Sequence, residues 1–388
     1  MREFVTEKVK QIKPSGIRKF FDVVSEMPDA ISLGVGEPDF DTPWHIRDAG
    51  IKSLKAGKTF YTSNAGLMEL REEICRYTEE KMHVSYEPKS EVFISVGGSE
   101  AIDIAFRATL DIGDEVIIPE PAFVSYVPCA QLAGAVPVTI PLKAENEFRL
   151  TPEELEAAIT PKSKILLLSY PNNPTGAIME KADLEALCPI IEKYDLLVVS
   201  DEIYSELSYK SAHVSIASLP GMRERTISCS SLSKTYSITG WRLGYCIAPP
   251  EITDTIRKVH DFLTVGAAAP LQEAAVTGLN FGDDYYKALQ DKYTHMRNLF
   301  IKGLDDVGLV HTIPQGAYYI LVDISEFGYD SDLDFCEKLA EKVGVGAVPG
   351  SSFFREPENR YIRFHYAKKD KTLNEALDRL HSINKLKK

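Results

Sequence analysis

From Glu91 onward the chain alternates short apolar runs with longer stretches in which apolar residues recur every three or four positions. The runs Val92–Val96, Glu115–Pro119, Val136–Ile140, Lys164–Ser169, Leu196–Ser200, Thr226–Ser230 and Leu243–Ala248 predict strands. Between them, Ser99–Leu110, Phe123–Ala133, Pro152–Ile159 and Lys181–Tyr194 predict helices. Short apolar strands separated by helices imply βαβ units and an α/β fold whose mostly parallel sheet is covered on both faces. Upstream, Ile17–Ser25 carries apolar residues at 17, 20, 21, 23 and 24 and predicts an amphipathic helix. Thr42 and Pro43 predict a helix start, with Thr42 as cap and Pro43 in the first helical position. A long helix follows from Leu67 to about Lys81.

Around Tyr285 the pattern changes to a long charged helix reaching about Leu304. A hairpin-like pair over Gly316–Asp323, a helix over 331–343, a strand near Tyr361–His365 and a final helix over 370–386 complete the chain. The expected organisation is a polar arm over 1–15, a segment 16–41 that packs with a smaller C-terminal α/β domain over 285–388, and a large domain over 42–284.

Composition narrows the function classes. Lysine and arginine number 44 against 57 aspartates and glutamates, a net charge of −13, which argues against nonspecific nucleic-acid binding and against an anionic membrane surface. No apolar run approaches the ~18 residues of a membrane span. The first residues, Met-Arg-Glu-Phe-Val-Thr-Glu-Lys, hold no signal-peptide core, so a cytoplasmic protein is expected. The six cysteines are widely spaced without a Cys-x-x-Cys pair and are expected to be buried reduced thiols. The eight histidines show no ligand spacing, so no metal site is expected.

The candidate chemistry centres on Ser231-Leu-Ser-Lys-Thr-Tyr-Ser-Ile-Thr-Gly-Trp-Arg-Leu-Gly-Tyr245. Lys234 lies among the hydroxyls of Ser231, Ser233, Thr235 and Ser237, with Arg242 eight residues on. A lysine in a desolvating, charge-poor setting loses preference for its protonated form, and a neutral amine can form a Schiff base with a carbonyl. The hydroxyls and the planar fork of Arg242 suit a phosphate. A Schiff-base lysine beside a phosphate site is the layout that pyridoxal phosphate requires.

Other polar clusters fall just after predicted strands, where ligands bind on such sheets. Val96-Gly-Gly-Ser-Glu100 joins a strand to a helix and makes an anion cradle from Gly98, Ser99 and the helix N-terminus. Tyr170-Pro-Asn-Asn-Pro-Thr-Gly176 is a rigid loop that presents the amide of Asn173. Asp201, at the end of the apolar strand Val198-Val-Ser-Asp, is costly to bury unless paired, and a pyridinium N–H supplies such a partner. Tyr204, three residues on, suits a hydrogen bond to the ring oxygen. Arg363, in an otherwise apolar strand pattern, suits a carboxylate, with Arg360 as the nearby alternative. Gly344-Val-Gly-Ala-Val-Pro-Gly350 has the wrong spacing for a dinucleotide fingerprint, and no βαβ unit follows it.

The motif Ser231-x-Ser-Lys234 with Gly240-Trp-Arg242-x-Gly244 resembles the cofactor-lysine signature of class I/II aminotransferases, of fold type I. The likeness runs from about Ile17 to the C-terminus and is closest to the aromatic, aspartate and N-acetyl-diaminopimelate aminotransferases. The resemblance implies pyridoxal 5′-phosphate as cofactor, held covalently by Lys234. It implies Gly98, Ser99, Ser231 and Arg242 at the phosphate, Asp201 at the ring nitrogen, and Tyr204 and Asn173 at the ring oxygen. Phe123 is implied as the ring's stacking partner, with Tyr126 or no stacking residue as alternatives. Gly34, in Ser32-Leu-Gly-Val-Gly-Glu-Pro-Asp-Phe40, is implied as a backbone donor to the substrate carboxylate, beside Asn173 and Arg363. Tyr61 is implied to cross a homodimer interface to the partner's cofactor phosphate. The implied reaction is ping-pong transfer of an amino group from an L-amino acid to a 2-oxo acid such as 2-oxoglutarate, with Lys234 as general base and acid. Ile17, Tyr61, Phe123, Tyr319 and Phe353 are candidates for the specificity pocket, and their character slightly favours aromatic or bulky donors. A carbon–sulfur β-lyase of the same fold would share every cofactor residue and is the alternative.

Overall fold

Seven strands form the main sheet: β2 (Val92–Ser95), β3 (Glu115–Glu120), β4 (Val136–Pro141), β5 (Ser163–Ser169), β6 (Leu197–Asp201), β7 (Thr226–Ser231) and β8 (Gly244–Ile247). A two-residue strand, β1 (Ile31–Ser32), precedes them in the chain. The computed structural model describes residues 3–12, 17, 20, 27, 29–356 and 358–388. The helix expected over Ile17–Ser25 therefore lies almost wholly outside the described residues. The sheet order is β2-β8-β7-β6-β5-β3-β4. Every neighbouring pair is parallel except the two made by β8, which alone runs backwards.

The central strands are apolar on both faces because helices cover both. Along β5, Ile165 and Leu167 pack on one side while Leu166 and Leu168 pack on the other, and Val199 and Val198 of β6 divide in the same way. The helices of the large unit are α2 (Trp44–Lys55), α3 (Met68–Met82), α4 (Gly98–Thr109), α5 (Tyr126–Ala133), α6 (Pro152–Ala158), α7 (Lys181–Lys193), α8 (Pro250–Thr264) and α9 (Ala269–Leu279). A single-turn α1 (Glu7–Lys10) precedes them.

The smaller unit contains α10 (Asp283–Val307), β9 (Tyr319–Asp323), α11 (Asp332–Val343), β10 (Val345–Gly346), β11 (Val348–Pro349), β12 (Tyr361–His365) and α12 (Asp370–Leu380). Its sheet has the order β11-β12-β9, all antiparallel. The apolar faces of α10, α11 and α12 close over it through Phe300, Phe335 and Leu377. The segment after β1 is stitched to this unit: β1 pairs in parallel with β10, the His365 N–H donates to Leu33 O at 2.9 Å, and the Asp39 N–H donates to Ala367 O at 3.0 Å.

Four expectations are corrected in detail. Helix α2 begins at Trp44 with Pro43 as its N-cap, and the Thr42 hydroxyl instead donates to Ser237 O at 2.7 Å. Helix α5 starts at Tyr126 rather than at Phe123. Gly316–Asp323 is no hairpin: only β9 forms there, and its ladder partner is β12. The last helix stops at Leu380, and a 3₁₀ turn over Ile383–Leu386 follows.

Glu120 joins the two units where β3 ends. Its carboxylate accepts the Arg355 N–H on both oxygens, at 3.1 and 3.0 Å, and it is almost fully buried. Burial pushes its pKa from 4.5 up to about 7. The folded state therefore holds this proton more tightly than the unfolded chain. The cost of charging Glu120 is absent below pH 4.5, grows to pH 7 and is full above it. Glu120→Gln, which keeps an acceptor for Arg355, is expected to stabilise the protein by about 2 kcal/mol at pH 8 and to be neutral near pH 4. Chemical denaturation at the two pH values checks this; equal effects at both would show that Glu120 is not the group responsible.

Candidate active site

The carboxyl ends of the parallel strands converge on a cavity of about 280 Å³ between the large unit and the β9/β12 sheet. Asp201 ends β6 and Ser231 ends β7. Beside them, the turn after β2 leads into α4. Because β8 runs backwards, it starts at this same edge, where Gly244 pairs with both Ser95 and Ser231. Arg242 just before it is thereby brought against the β2–α4 turn. Gly97 in that turn has φ +82°, and a Cβ there would stand 2.5 Å from Arg242 Nη2, so only glycine admits the guanidinium. Gly98, Ser99 and Ser231 line the same corner. The Ser231 hydroxyl is held by Leu243 O at 2.8 Å and Ser233 Oγ at 2.6 Å.

Lys234 projects into the centre of the cavity, where its amine donates to Gly36 O at 2.8 Å. Burial, aided by the nearby Arg363 and Arg242 charges, lowers its proton affinity. Opposite it, Asp201 accepts from the Tyr126 hydroxyl at 2.6 Å and from the Ile203 N–H at 3.2 Å. These neutral donors do not offset burial, which raises the carboxyl to about 6. Tyr126 is fixed in turn by Ser169 Oγ at 2.8 Å. Phe123 lines the cavity and meets the Tyr126 ring edge-on, with centroids 5.7 Å apart.

Arg363 enters from β12, where it pairs with Leu321 and Val348. It is 1% exposed. Its Nη1 donates to Asn173 Oδ1 at 2.7 Å and its Nη2 to Gly34 O at 2.5 Å, and among the described residues its Nε has no partner. The rings of Tyr319 and Phe353 lie 4.4 and 4.8 Å from the guanidinium carbon. Among the described residues no carboxylate pairs with it. Arg360, by contrast, is exposed and bound to Asp323 at 2.7 Å.

Twelve residues were assigned from the sequence to the cofactor or to the substrate carboxylate. Ten of them line this cavity: Gly98, Ser99, Phe123, Asn173, Asp201, Tyr204, Ser231, Lys234, Arg242 and Arg363. Gly34 and Tyr61 do not. The carbonyl of Gly34 serves Arg363, and Val35 and Gly36 face the cavity instead. Tyr61 is 89% exposed on the outer surface. The sequence reading did not anticipate the Tyr126–Asp201 bond, the Tyr204–Tyr319 contact, in which the two hydroxyls lie 2.7 Å apart, or Tyr318, whose hydroxyl donates to Gly36 O at 2.8 Å. The paired tyrosines at the head of an apolar strand were the available signal.

Among the described residues, a half-buried carboxylate without a cation, a buried guanidinium without an anion and an amine of lowered proton affinity share one cavity. Pyridoxal 5′-phosphate has complementary groups for these and for the Gly97–Arg242 cradle, so the donor set fits that cofactor. Among the described residues no cluster of histidine, cysteine or acidic side chains could hold a metal ion. All six cysteines are free, four of them buried.

Fold and pocket together define a fold type I aminotransferase. The family model for aminotransferase class I and II matches residues 28–380, and the chain belongs to that family. It is 45% identical to the protein YugH of Bacillus subtilis over 380 residues, covering 98% of each chain. It is 41% identical to an aspartate aminotransferase of Pyrococcus abyssi, covering 99% of each. The solved structure of an aromatic aminotransferase from Pyrococcus horikoshii superposes with a TM-score of 0.88 at 39% identity, over 94% of this chain and 98% of that one. The enzyme is thus an aminotransferase, a class that acts on amino acids and 2-oxo acids, and nothing in these likenesses supports the carbon–sulfur lyase. Among the described residues no helix is long and apolar enough to cross a membrane.

Proposed function

We propose that this aminotransferase uses pyridoxal 5′-phosphate to move the amino group of a bulky, uncharged L-amino acid, aromatic ones included, to a 2-oxo acid such as 2-oxoglutarate. The observation that carries this reading is the set of three unmatched groups in one cavity: Lys234, Asp201 and Arg363. The α4 N-terminus with Gly98 and Ser99, together with Ser231 and Arg242, would hold the phosphate. Asp201, fixed by Tyr126, would hold the ring nitrogen, Tyr204 and Asn173 the ring oxygen, and Phe123 the ring face. When bound, the cofactor supplies a carbonyl that condenses with amino groups and a cationic ring that accepts the electron pair released at the substrate's α-carbon.

The chain's own groups do the rest. Arg363 takes the α-carboxylate on its two-pronged face, and the Asn173 amide nitrogen remains as a second donor. Lys234, made less basic by burial, takes the proton from the α-carbon and returns one in the other half-reaction. One site serves donor and acceptor in turn, so the kinetics are ping-pong.

The cations that line the cavity, among the described residues, are Lys234, Arg242 and Arg363. Each has a role above, which leaves none for a side-chain carboxylate. Ile17 and Val35 add apolar wall. These features support a neutral, bulky donor. A cytoplasmic homodimer is part of the proposal. Tyr61 and Phe262 are 89% and 90% exposed, and Asn64 ties their two segments together by donating to Val265 O at 3.1 Å. Large exposed aromatics on linked segments suit an interface, from which Tyr61 would reach the partner's phosphate site.

An absorbance spectrum of the cofactor-loaded protein, repeated with a panel of L-amino acids, tests the reading. The expected result is loss of the visible band with release of the matching 2-oxo acid, fastest for aromatic or large aliphatic donors. Fastest turnover of aspartate would overturn the donor class. A colourless protein that pyridoxal phosphate does not reconstitute would overturn the cofactor.

A further inference from the structure

The Tyr204 hydroxyl lies 2.7 Å from the hydroxyl of Tyr319, the first residue of β9. A phenol has one proton to give. The third phenol beside the pair, Tyr318, gives its proton to Gly36 O at 2.8 Å. The two hydroxyls share one hydrogen bond that either can donate; when Tyr204 gives its proton to the cavity that both residues line, Tyr319 is the donor between them. The position is reserved for this phenol: a Cβ on Gly36 would lie 2.1 Å from Tyr319 Oη. On its other side the Tyr319 ring faces the buried Arg363 guanidinium, 4.4 Å from the ring centre. One side chain thus touches both the carboxylate-seeking cation and the phenol assigned to the cofactor's ring oxygen.

We infer that Tyr319 is a positioning residue of the reaction: its hydroxyl strengthens the hydrogen bond that Tyr204 offers to the ring oxygen, and its ring makes that bond sensitive to a carboxylate on Arg363. This rests on the cofactor reading proposed above. Donation into Tyr204 polarises its O–H, because hydrogen bonds in a chain reinforce one another. The Arg363 cation over the Tyr319 ring draws on its electron density and makes its hydroxyl the better donor. A carboxylate on Arg363 offsets that charge and relaxes the chain. A weaker Tyr204 bond leaves the ring oxygen more basic, so the cofactor chromophore holds its proton to higher pH. Substrate carboxylate is in this way reported to the cofactor, about one side chain away, before any bond changes.

The titratable and charged groups around the Tyr204–Tyr319 pair come from several elements. Tyr318, in the turn just before β9, has its ring 4.7 Å from that of Tyr319 and 5.4 Å from that of Tyr204. Arg363 faces the pair from β12, and Lys234, 5.7 Å from the Tyr318 ring, faces it from the loop after β7. Tyr293 of α10 and His365 of β12 back Tyr318 at 5.7 and 6.2 Å. Tyr319→Phe changes none of these, keeps the ring against Arg363 and removes only the hydroxyl.

The test is a pH titration of the visible absorbance of cofactor-loaded wild type, Tyr319→Phe, Tyr204→Phe and the double variant, each with and without 3-phenylpropionate, a carboxylate without an amino group. Tyr319→Phe should raise the midpoint by about half a pH unit, roughly a three-fold change in proton affinity. The further rise caused by 3-phenylpropionate in wild type should shrink by about half or more in the variant. In the Tyr204→Phe background Tyr319→Phe should have no effect, because the chain then has no middle member. An unchanged midpoint in Tyr319→Phe, or a shift of the same size with and without Tyr204, would overturn the inference while leaving the cofactor reading intact. A wild type with no pH-dependent visible band would remove both.

Discussion

Lys234→Ala is expected to lower kcat for transamination by roughly 10⁴-fold or more, while the folded state and the cavity persist. The size follows from the double duty proposed for this amine. As a nucleophile it engages the cofactor's carbonyl, and as a base and acid it carries the α-proton, a role worth ~10²–10⁴ by itself. Among the described residues that line the cavity no other basic side chain is placed to take over. The Arg363 guanidinium is engaged by Asn173 and Gly34, and Arg242 stands against the β2–α4 turn. His365 is wholly buried, and burial holds its proton affinity far below the usual range. Lys234 is not a stability anchor, since its amine contacts one backbone carbonyl, Gly36 O. Circular dichroism should therefore be unchanged, and cofactor should still bind through the phosphate cradle, though without the wild-type visible band. Steady-state release of 2-oxo acid is the decisive measurement, and near-wild-type turnover would falsify the assignment.

The second large effect is expected at Arg363. Its replacement by leucine should cut kcat/KM for amino acids by about 10³-fold, mostly through KM. A buried substrate carboxylate that loses its hydrogen-bonded cation forfeits ~2–5 kcal/mol. Lysine should not rescue, because a point charge cannot reproduce the guanidinium fork held between Asn173 and Gly34. Amines without a carboxylate should react equally slowly with wild type and variant, which separates loss of recognition from general damage. The substrate-free protein should not be destabilised, and its Tm should hold or rise. An unpaired buried cation, made less basic by its burial, is a cost to the fold that leucine removes. A uniform loss for amines and amino acids alike would show instead that Arg363 is structural.

The reading from sequence succeeded where physics is local. The strands β5 and β6 are apolar on both faces because helices cover both, so Ile165–Leu168 and Leu197–Val199 stand out as runs. Polar residues that follow such runs must lie at the carboxyl edge of a parallel sheet, which is why Asp201, Asn173 and the Gly98–Ser99 turn were legible as site residues. It missed what depends on distant partners. Thr42 looks like a cap, but its hydroxyl is claimed by Ser237 O, 195 residues away. The apolar run Tyr318-Tyr-Ile-Leu-Val-Asp323 suggested a hairpin-like pair without saying that Tyr361–His365 is the partner. Tyr126 reads from the sequence as an alternative stacking residue, and only with α5 laid beside β6 does it prove to be the donor that fixes Asp201. Nor does the sequence say what crowds Gly36, which the structure shows to be a lysine amine, a tyrosine hydroxyl and the Tyr319 phenol.

The reversed strand β8 has one more consequence. In the rest of the sheet, successive site residues are separated by a whole crossover helix, so Asn173 and Asp201 depend on long-range docking. Lys234 and Arg242 do not. They sit on a loop whose two ends, Ser231 and Gly244, are zipped together as an antiparallel pair and cross-latched by Ser231 Oγ on Leu243 O. The loop is a clasp: the amine and the guanidinium are mounted on the same piece, whose two ends are tied to each other. The groups proposed as the cofactor's covalent anchor and phosphate grip thus hang from one local ribbon, while those proposed to face its ring are brought up by separate crossovers.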